Sequence, residues 1–465
     1  MDFIRQFPRS LRGWVALYAL VLMVYSCARH LLFQSTAMDL SYFDQAAYLI
    51  SQGETPIVSF WGYHFMGGHA DWILYGLSLL YRIYPSVYWL LGVQAIALAS
   101  GGLVTWKLAE QAGLSKPWSN SLAAVYLLQP LVFNVNLFDF HPEVIAVPLI
   151  LGAVWAARAG KVVGFTIAII LTLGCRDSLA LNIAGLGLWL LVTKRQLPGL
   201  IALALGGLWF YTVTQWVIPS FRSGGVESIA RYAEFGDSIG GILASVVLKP
   251  GLWLGRIATG DNLFYLLLLF LPWVWGLKLG PALLPLIPAV PTIAINLITT
   301  YYPQKDLVHQ YSLPVIPFLW LAALQVIAQT TQRPWFRRRR LVLLWSLLMF
   351  LCLSKFSYLG WRYLEHLDNW QASRSAIAQI PPQSPVLATA KLAPHLAHRK
   401  ILKITIPEQS IAQQLTNIDY ILLDRRHPGN PEKQQNLDRL IATAKQDPTK
   451  RLLSDQDGIY LFGPH

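Results

Sequence analysis

Long apolar runs recur along most of this chain and constrain its fold more than any other feature. A helix that crosses a bilayer needs about 20 mostly apolar residues. Runs of that kind lie at 13–33, 86–106, 117–135, 143–159, 162–177, 178–193, 197–217, 263–280, 281–300, 312–330 and 341–359. Threaded alternately, they predict about eleven spans, with the amino terminus inside and the carboxy terminus outside. Two of them, 162–177 and 178–193, are short and share a polar corner at Arg176-Asp177. The expected fold is an α-helical polytopic membrane protein.

Composition agrees, with 54% hydrophobic and only 13% charged residues, against about 25% charged in soluble domains. The formal charge of +13 raises nucleic acid as a partner. Its distribution argues otherwise, because Arg5/Arg9/Arg12, Lys107/Lys116, Arg158/Lys161, Lys194/Arg195, Lys278 and Arg333 with Arg337–Arg340 fall between alternate spans. That is the positive-inside pattern, so the charge reads as topology and no nucleic-acid partner is expected. The aromatic residues gather near span ends, as an interfacial belt does. Cys27, Cys175 and Cys352 form no CxxC pair or zinc spacing and read as structural thiols. Val24-Tyr25-Ser26-Cys27 fits a lipoprotein cleavage box poorly, and the span continues past it, which predicts a retained signal anchor.

The expected membrane domain covers 1–360. Three of its outer segments, 34–85, 219–262 and 301–311, are too long or too polar for simple turns. The stretch Trp72 to Tyr84 is amphipathic and suits the membrane interface. After 361 the composition becomes that of a soluble domain. Strands are predicted at 385–389, 401–406, 419–424 and 458–462, with a helix at 434–445. Residues 361–465 therefore form an expected small extracytoplasmic α/β domain. It has no phosphate loop and no GxGxxG, so no chemistry is assigned to it.

Polar groups are sorted by this threading. Asp2 and Glu110 fall inside, whereas Asp39, Asp44, Glu54, Asp71, Asp139, Glu143, Asp177, Glu227, Glu234, Asp237, Asp261 and Asp306 fall outside. His30, His64, His69, His141 and His309 join them. A solvated surface does not sort its groups this way, so the outer face is the expected reaction or binding surface.

Met38-Asp39-Leu-Ser-Tyr-Phe-Asp44-Gln45 begins just beyond the first span. A carboxylate held there can act as general base toward a hydroxyl or amine; an Asp can equally cap an interfacial helix. Asp39, nearer the span, is the preferred base and Asp44 the second candidate. Next come His64 and Gly67-Gly68-His69-Ala70-Asp71, where His69 and Asp71 can orient an acceptor, bond each other or hold a divalent metal. No metal signature or other cofactor is specified.

Phe138-Asp139-Phe-His141-Pro-Glu143 is the most concentrated polar motif. Pro142 suits a first helical turn, and Glu143 there complements the helix dipole. Capping leaves Asp139 and His141 unexplained, and ionisable groups at membrane depth are costly and by default functional. Arg176 and Asp177 can neutralise each other, or Arg176 can grip a phosphate in bidentate fashion. Arg222, Arg231, Lys305 and His309 with Asp306 extend this set; Lys305 would serve as a point charge. Cations and carboxylates on one face suit a substrate with an anionic phosphate at the bilayer surface.

Taken together, Phe-Asp-Gln at 43–45, His69, Leu-Phe-Asp-Phe-His-Pro-Glu at 137–143, the corner at 176–177, Arg-Tyr-Ala at 231–233 and Tyr-Ser-Leu-Pro at 311–314 resemble the DUF2079 family of predicted membrane proteins. Where that family suggests Lys-Glu-Asp at the fifth-span corner, this chain has Cys175-Arg176-Asp177-Ser178, one acid fewer. The family is similar in turn to the GT-C glycosyltransferases. The resemblance implies a sugar donor linked to polyprenyl phosphate in membrane lipid, with an acid of the first outer loop as base, a place that Asp39 or Asp44 would fill. It names neither sugar nor acceptor, and oligomeric state stays open. The alternatives are a lipid or solute transporter or flippase, which predicts broken spans and internal repeats, and a non-catalytic scaffold. An intramembrane metalloprotease is disfavoured because no HExxH occurs.

Overall fold

The structure is a computed structural model that describes residues 9–223, 227–329 and 334–465. Asp2, Arg5, Gly224, Gly225 and Arg333 lie outside the described residues, as does the side chain of Glu227. Helices dominate as far as Trp361, and a mixed sheet follows.

Helix boundaries follow the apolar runs closely. Among the described residues, five helical segments can cross a membrane by length and composition: Arg9–Leu31, Tyr88–Gln111, Gln196–Phe221, Pro281–Ile298 and Tyr302–Gln329. The pair Pro250–Ile257 and Gly260–Gly276, bent by 62°, makes a sixth if it counts as one span. Length and composition therefore do not reach the expected eleven, and prolines account for part of the shortfall. Proline removes a backbone donor and ends or kinks a helix. The expected span 117–135 divides into Lys116–Leu127 and Pro130–Asn136. In 281–300, Pro285 and Pro288 hold the first half in a tighter 3-10 helix before the α-helix Val290–Ile298 begins. Glu143–Arg158, Val162–Leu173 and Leu179–Val192 are helices of 16, 12 and 14 residues.

Small residues let some of these helices approach closely, as is common in bilayers. A Cβ on Gly187 would lie 2.5 Å from the Leu203 backbone nitrogen, and one on Gly206 2.6 Å from that of Ala184. Neither position tolerates a side chain without moving a helix. The helix Ile73–Ile83 exposes Tyr75, Leu79 and Ile83 while Leu74 and Tyr81 are buried, an apolar outer face suited to a membrane interface.

The first loop carries a two-stranded hairpin, β1 (Ile57–Val58) and β2 (Tyr63–His64). Near the carboxy terminus, β3 (Val386–Ala388), β4 (Leu402–Ile404), β5 (Tyr420–Asp424), β6 (Lys450–Gln456) and β7 (Ile459–Pro464) form one sheet in the order β4-β3-β5-β7-β6. Pairing is parallel among β4, β3 and β5, and antiparallel from β5 through β7 to β6. β6 was not expected, because Lys-Arg-Leu-Leu-Ser-Asp-Gln is polar and lies at a half-exposed edge. The signal for it was Asp457-Gly458, both at positive φ (51° and 81°), which is the chemistry of a type I′ hairpin turn.

Alternation along the strands gives the sheet two apolar faces. Leu387, Ile421, Leu423 and Phe462 pack with Leu437 and Leu440 of the helix Pro431–Gln446. Val386, Leu402, Leu422, Ile459 and Leu461 pack on the other side, and Phe33 and Ala37 of the first loop belong to that same core. The segment bearing Asp39 is thereby clamped between the helical bundle and the sheet.

Candidate functional site

One polar group forms where the first helix meets the Asp139 loop. Arg29, in the last turn of Arg9–Leu31, donates to Asp139 through Nε at 2.9 Å and Nη2 at 3.4 Å. The Thr36 backbone N–H donates to Asp139 Oδ2 at 2.8 Å. The Thr36 hydroxyl lies between two carboxylates, 2.8 Å from Asp39 Oδ2 and 3.1 Å from Asp139 Oδ2. Asp139 is fully buried, and its charge is compensated by these donors. Burial alone would raise its pKa, but Arg29 and the Thr36 N–H hold the carboxyl below the ordinary range.

Asp39 differs from Asp139 in access, with a side chain 26% exposed. His141 Nε2 lies 3.4 Å from Asp39 Oδ1, and His141 Nδ1 lies 3.0 Å from the Asp139 carbonyl. A carbonyl only accepts, so Nδ1 carries a proton and Nε2 faces the Asp39 carboxylate. Burial lowers the His141 pKa, yet the Asp39 hydrogen bond and charge outweigh it and leave the imidazole above its usual value. His309 joins this group through Phe138: its ring is 4.4 Å from the Phe138 ring, and its Nδ1 is 2.7 Å from Asp306 Oδ2.

A second group lies beyond the start of the helix Glu143–Arg158. Arg176 forms a close ion pair with Glu143, and its Nη2 is 3.0 Å from His69 Nε2. His69 Nδ1 is 3.4 Å from Asp177 Oδ1. Burial and the Arg176 charge depress the His69 pKa despite Asp177. Tyr311 lies between two guanidinium groups, with Arg176 at 5.7 Å and Arg231 at 5.8 Å from its ring. Arg231 also covers Tyr301 at 4.3 Å. Asp71 is buried close by, and neither of its oxygens has a hydrogen-bond partner among the described residues. Burial pushes its pKa well above the ordinary carboxylate value, against the pull of the Arg176 charge.

These residues open onto a cavity of about 270 Å³. Its polar end carries His69, Glu143, Arg176, Asp177, Arg231 and Tyr311. Leu181, Phe210, Ile239, Ile242, Leu243 and Ile295 supply apolar lining, and Thr214, Thr292, Asn296, Gln304 and Gln310 add neutral polar groups. The lining thus combines two guanidinium groups and two carboxylates with apolar side chains, a mixed surface that suits an amphiphile with a polar head and a hydrocarbon tail.

The expected residues thus divide. His69, Glu143, Arg176, Asp177 and Arg231 share the cavity, with Asp71 behind them. Asp39, Asp139, His141 and His309 form the adjoining group. Asp44 stands apart: it is buried and accepts from the Tyr81 hydroxyl at 2.7 Å and from His398 Nε2 at 3.0 Å. His64 accepts from the Met66 N–H at 3.2 Å and stacks on Phe221, and Arg222 lies 4.6 Å over the Tyr63 ring. Lys305 is half-buried and does not line the cavity.

Sequence reasoning missed Arg29, Thr36, Tyr311 and the groups supplied by the carboxy-terminal segment. Lys391 Nζ donates to the Gln34 carbonyl at 2.7 Å, and burial with the Arg29 charge lowers its pKa to about 8. His395 Nε2 contacts the His30 carbonyl at 3.0 Å, and the two rings stack at 4.1 Å. An arginine within an apolar run was the available signal for Arg29; nothing local announced Lys391 or His398.

Solved structures with this fold exist. ArnT from Cupriavidus metallidurans bound to undecaprenyl phosphate matches with a TM-score of 0.53 at 14% identity, covering 97% of this chain and 98% of that one. Its apo structure matches equally. The Archaeoglobus fulgidus oligosaccharyltransferase follows at a TM-score of 0.40 and 12% identity, over 97% of this chain and 74% of that one. The fold of this chain is of the same kind as that of the two ArnT structures. Residues 29–461 match the model of DUF2079, described as predicted membrane proteins, and the chain belongs to that family. None of the curated proteins matches the chain in sequence.

Proposed function

We propose that this protein is an inverting glycosyltransferase that moves a sugar from a polyprenyl-phosphate carrier to an acceptor at the extracytoplasmic face. The carrying observation is the cavity, whose lining of guanidinium, carboxylate and apolar groups includes Glu143, two residues from the His141 that faces the accessible Asp39. Undecaprenyl phosphate is bound by the neighbour of similar fold, which supports a carrier of that class. In this reading the spans number about eleven, with the amino terminus cytoplasmic and an extracytoplasmic α/β domain over 361–465.

The acceptor hydroxyl or amine attacks the anomeric carbon, and its proton passes to Asp39. The bond from that carbon to the carrier phosphate breaks, and the phosphate leaves with the electron pair. Arg176 and Arg231 meet the charge as it grows, the kind of preorganised stabilisation that is often the largest catalytic term. His141, held by the Asp139 carbonyl, orients Asp39 and stabilises its ionised form. Asp44 is left the task of anchoring the loop. No metal or cofactor is assigned a step.

Purified protein given polyprenyl-phosphate-linked sugars should release the carrier phosphate in step with acceptor glycosylation. Full activity in Asp39→Asn would sink the base assignment. The bent helix pair at 250–276 and the proline-broken segment 281–289 favour a second reading, a lipid or solute transporter. Carrier movement across vesicles with no sugar transfer would establish that alternative.

A further inference from the structure

A second polar cluster lies away from the cavity, where the link from the bundle reaches the sheet. His366 and Asn369 sit in that link, Asp424 ends β5, and His427 follows it. His366, Asp424 and His427 each offer one ligand atom within 4.8 Å of the others. We propose that these three residues bind a divalent transition-metal ion of the zinc class, which ties the link to the end of β5.

Spacing is the first argument. Zinc bonds to nitrogen and oxygen donors are about 2.0–2.2 Å long, so donors in a tetrahedral shell lie about 3.3–3.6 Å apart. Asp424 Oδ2 is 3.5 Å from His366 Nδ1 and 3.1 Å from His427 Nδ1. Both imidazoles therefore present the same nitrogen to one carboxylate oxygen, at separations close to those of a metal shell. Their rings lie 4.1 Å apart, both beside that oxygen.

Orientation is the second argument. His427 Nε2, the nitrogen turned away from Asp424, lies 3.5 Å from Asp368 Oδ1. A carboxylate behind a histidine's outer N–H is the usual support of a metal-bound imidazole, because it fixes the tautomer and raises basicity. Asp424 is itself fixed by the backbone N–H groups of Arg426 and His427, at 3.0 and 3.2 Å.

The third argument is an unsatisfied atom. Asn369 is buried, and among the described residues its Oδ1 has no partner, while its Nδ2 lies 3.3 Å from His427 Nδ1 and the side chain also hydrogen-bonds Asp424. A half-turn of the amide places Oδ1 there instead, as a fourth donor. Two imidazoles select zinc-class ions over calcium or magnesium, which take oxygen ligands. The side chains of His366 and Asp424 are 5% and 3% exposed, whereas that of His427 is 19% exposed and leaves an entry path.

The test is a zinc titration of the chelator-stripped full chain in detergent, with His465→Ala as control. Wild type and control should bind one tight equivalent and melt at higher temperature with zinc present. His366→Ala and His427→Asn should lose that equivalent and the thermal shift. Asp368→Asn, at an exposed position, should weaken binding by roughly 10–100-fold, the usual effect of a supporting carboxylate. Absence of a tight equivalent in wild type, or its retention in His427→Asn, would overturn the site. Should the buried variants fail to fold, unchanged zinc affinity in Asp368→Asn overturns the arrangement by itself.

Discussion

Arg29 Nε donates to Asp139 Oδ1 at 2.9 Å and joins the end of the first long helix to a loop 110 residues further on. Both groups are buried, and Thr36 adds two further contacts to the same carboxylate. This pair fixes the base of the loop from which Asp39 projects.

Breaking the pair should therefore cost fold stability before it touches chemistry. Removing one partner of a buried ion pair costs about 3–5 kcal/mol, because the other charge is left uncompensated. Asp139→Ala and Arg29→Ala should each lower the melting temperature in detergent markedly. The double variant Arg29→Met with Asp139→Leu should recover much of the loss. A melting temperature equal to wild type in Asp139→Ala would contradict the role given to the pair.

Asp39 and Asp44 should separate in kinetics. Asp39→Asn is expected to cut kcat by about 10²–10⁴, the range of a general base, with the melting temperature unchanged. Asp44→Asn should instead lower the melting temperature, since Tyr81 and His398 both rely on that carboxylate. Turnover measured beside thermal unfolding distinguishes the two, and the opposite pattern would reverse the assignment.

Arg231 lines the cavity, so its loss should weaken carrier binding without unfolding the protein. Arg231→Gln is expected to lower affinity for polyprenyl phosphate roughly 10–150-fold, equivalent to one charged hydrogen bond of about 1.5–3 kcal/mol. Lipid-phosphate titration reads this directly. Affinity within twofold of wild type would remove Arg231 from the phosphate site.

His398 predicts a pH dependence of stability. Burial pulls its pKa down, but the Asp44 charge and hydrogen bond outweigh burial and set it above the ordinary value. A raised folded-state pKa gives stability that is fully present below the unfolded value of about 6.5 and is lost as pH rises through the folded value. Melting temperature should thus fall across that window in wild type. His398→Gln should flatten the fall, and an identical pH profile in the variant would refute the linkage.

Helix positions were legible because apolar runs of spanning length have few other solutions. Where the runs broke, prolines had announced it: Pro130, Pro285 and Pro288 mark the interruptions. The strand Lys450–Gln456 was hidden, since an edge strand needs only one apolar flank and its residues alternate weakly. In the site, Glu143, Arg176 and Asp177 stood out as charges at helix ends. Arg29 was masked by its apolar neighbours, and the choice between Asp39 and Asp44 depended on partners far away in sequence. Asp44 is satisfied by Tyr81 and by His398, 354 residues later, which no local pattern can foretell.

The shared core of Phe33 and Ala37 with Ile459 and Leu461 has a consequence for biosynthesis. The loop that carries Asp39 leaves the ribosome well before the apolar surface that it packs against, part of which comes from residues as far on as Ile459 and Leu461. Until the strand Ile459–Pro464 emerges, that loop lacks its backing. In the proposed reading, a nascent chain already threaded through the membrane stays inert toward lipid-linked sugar, and activity switches on only once the strand Ile459–Pro464 has been made and docked.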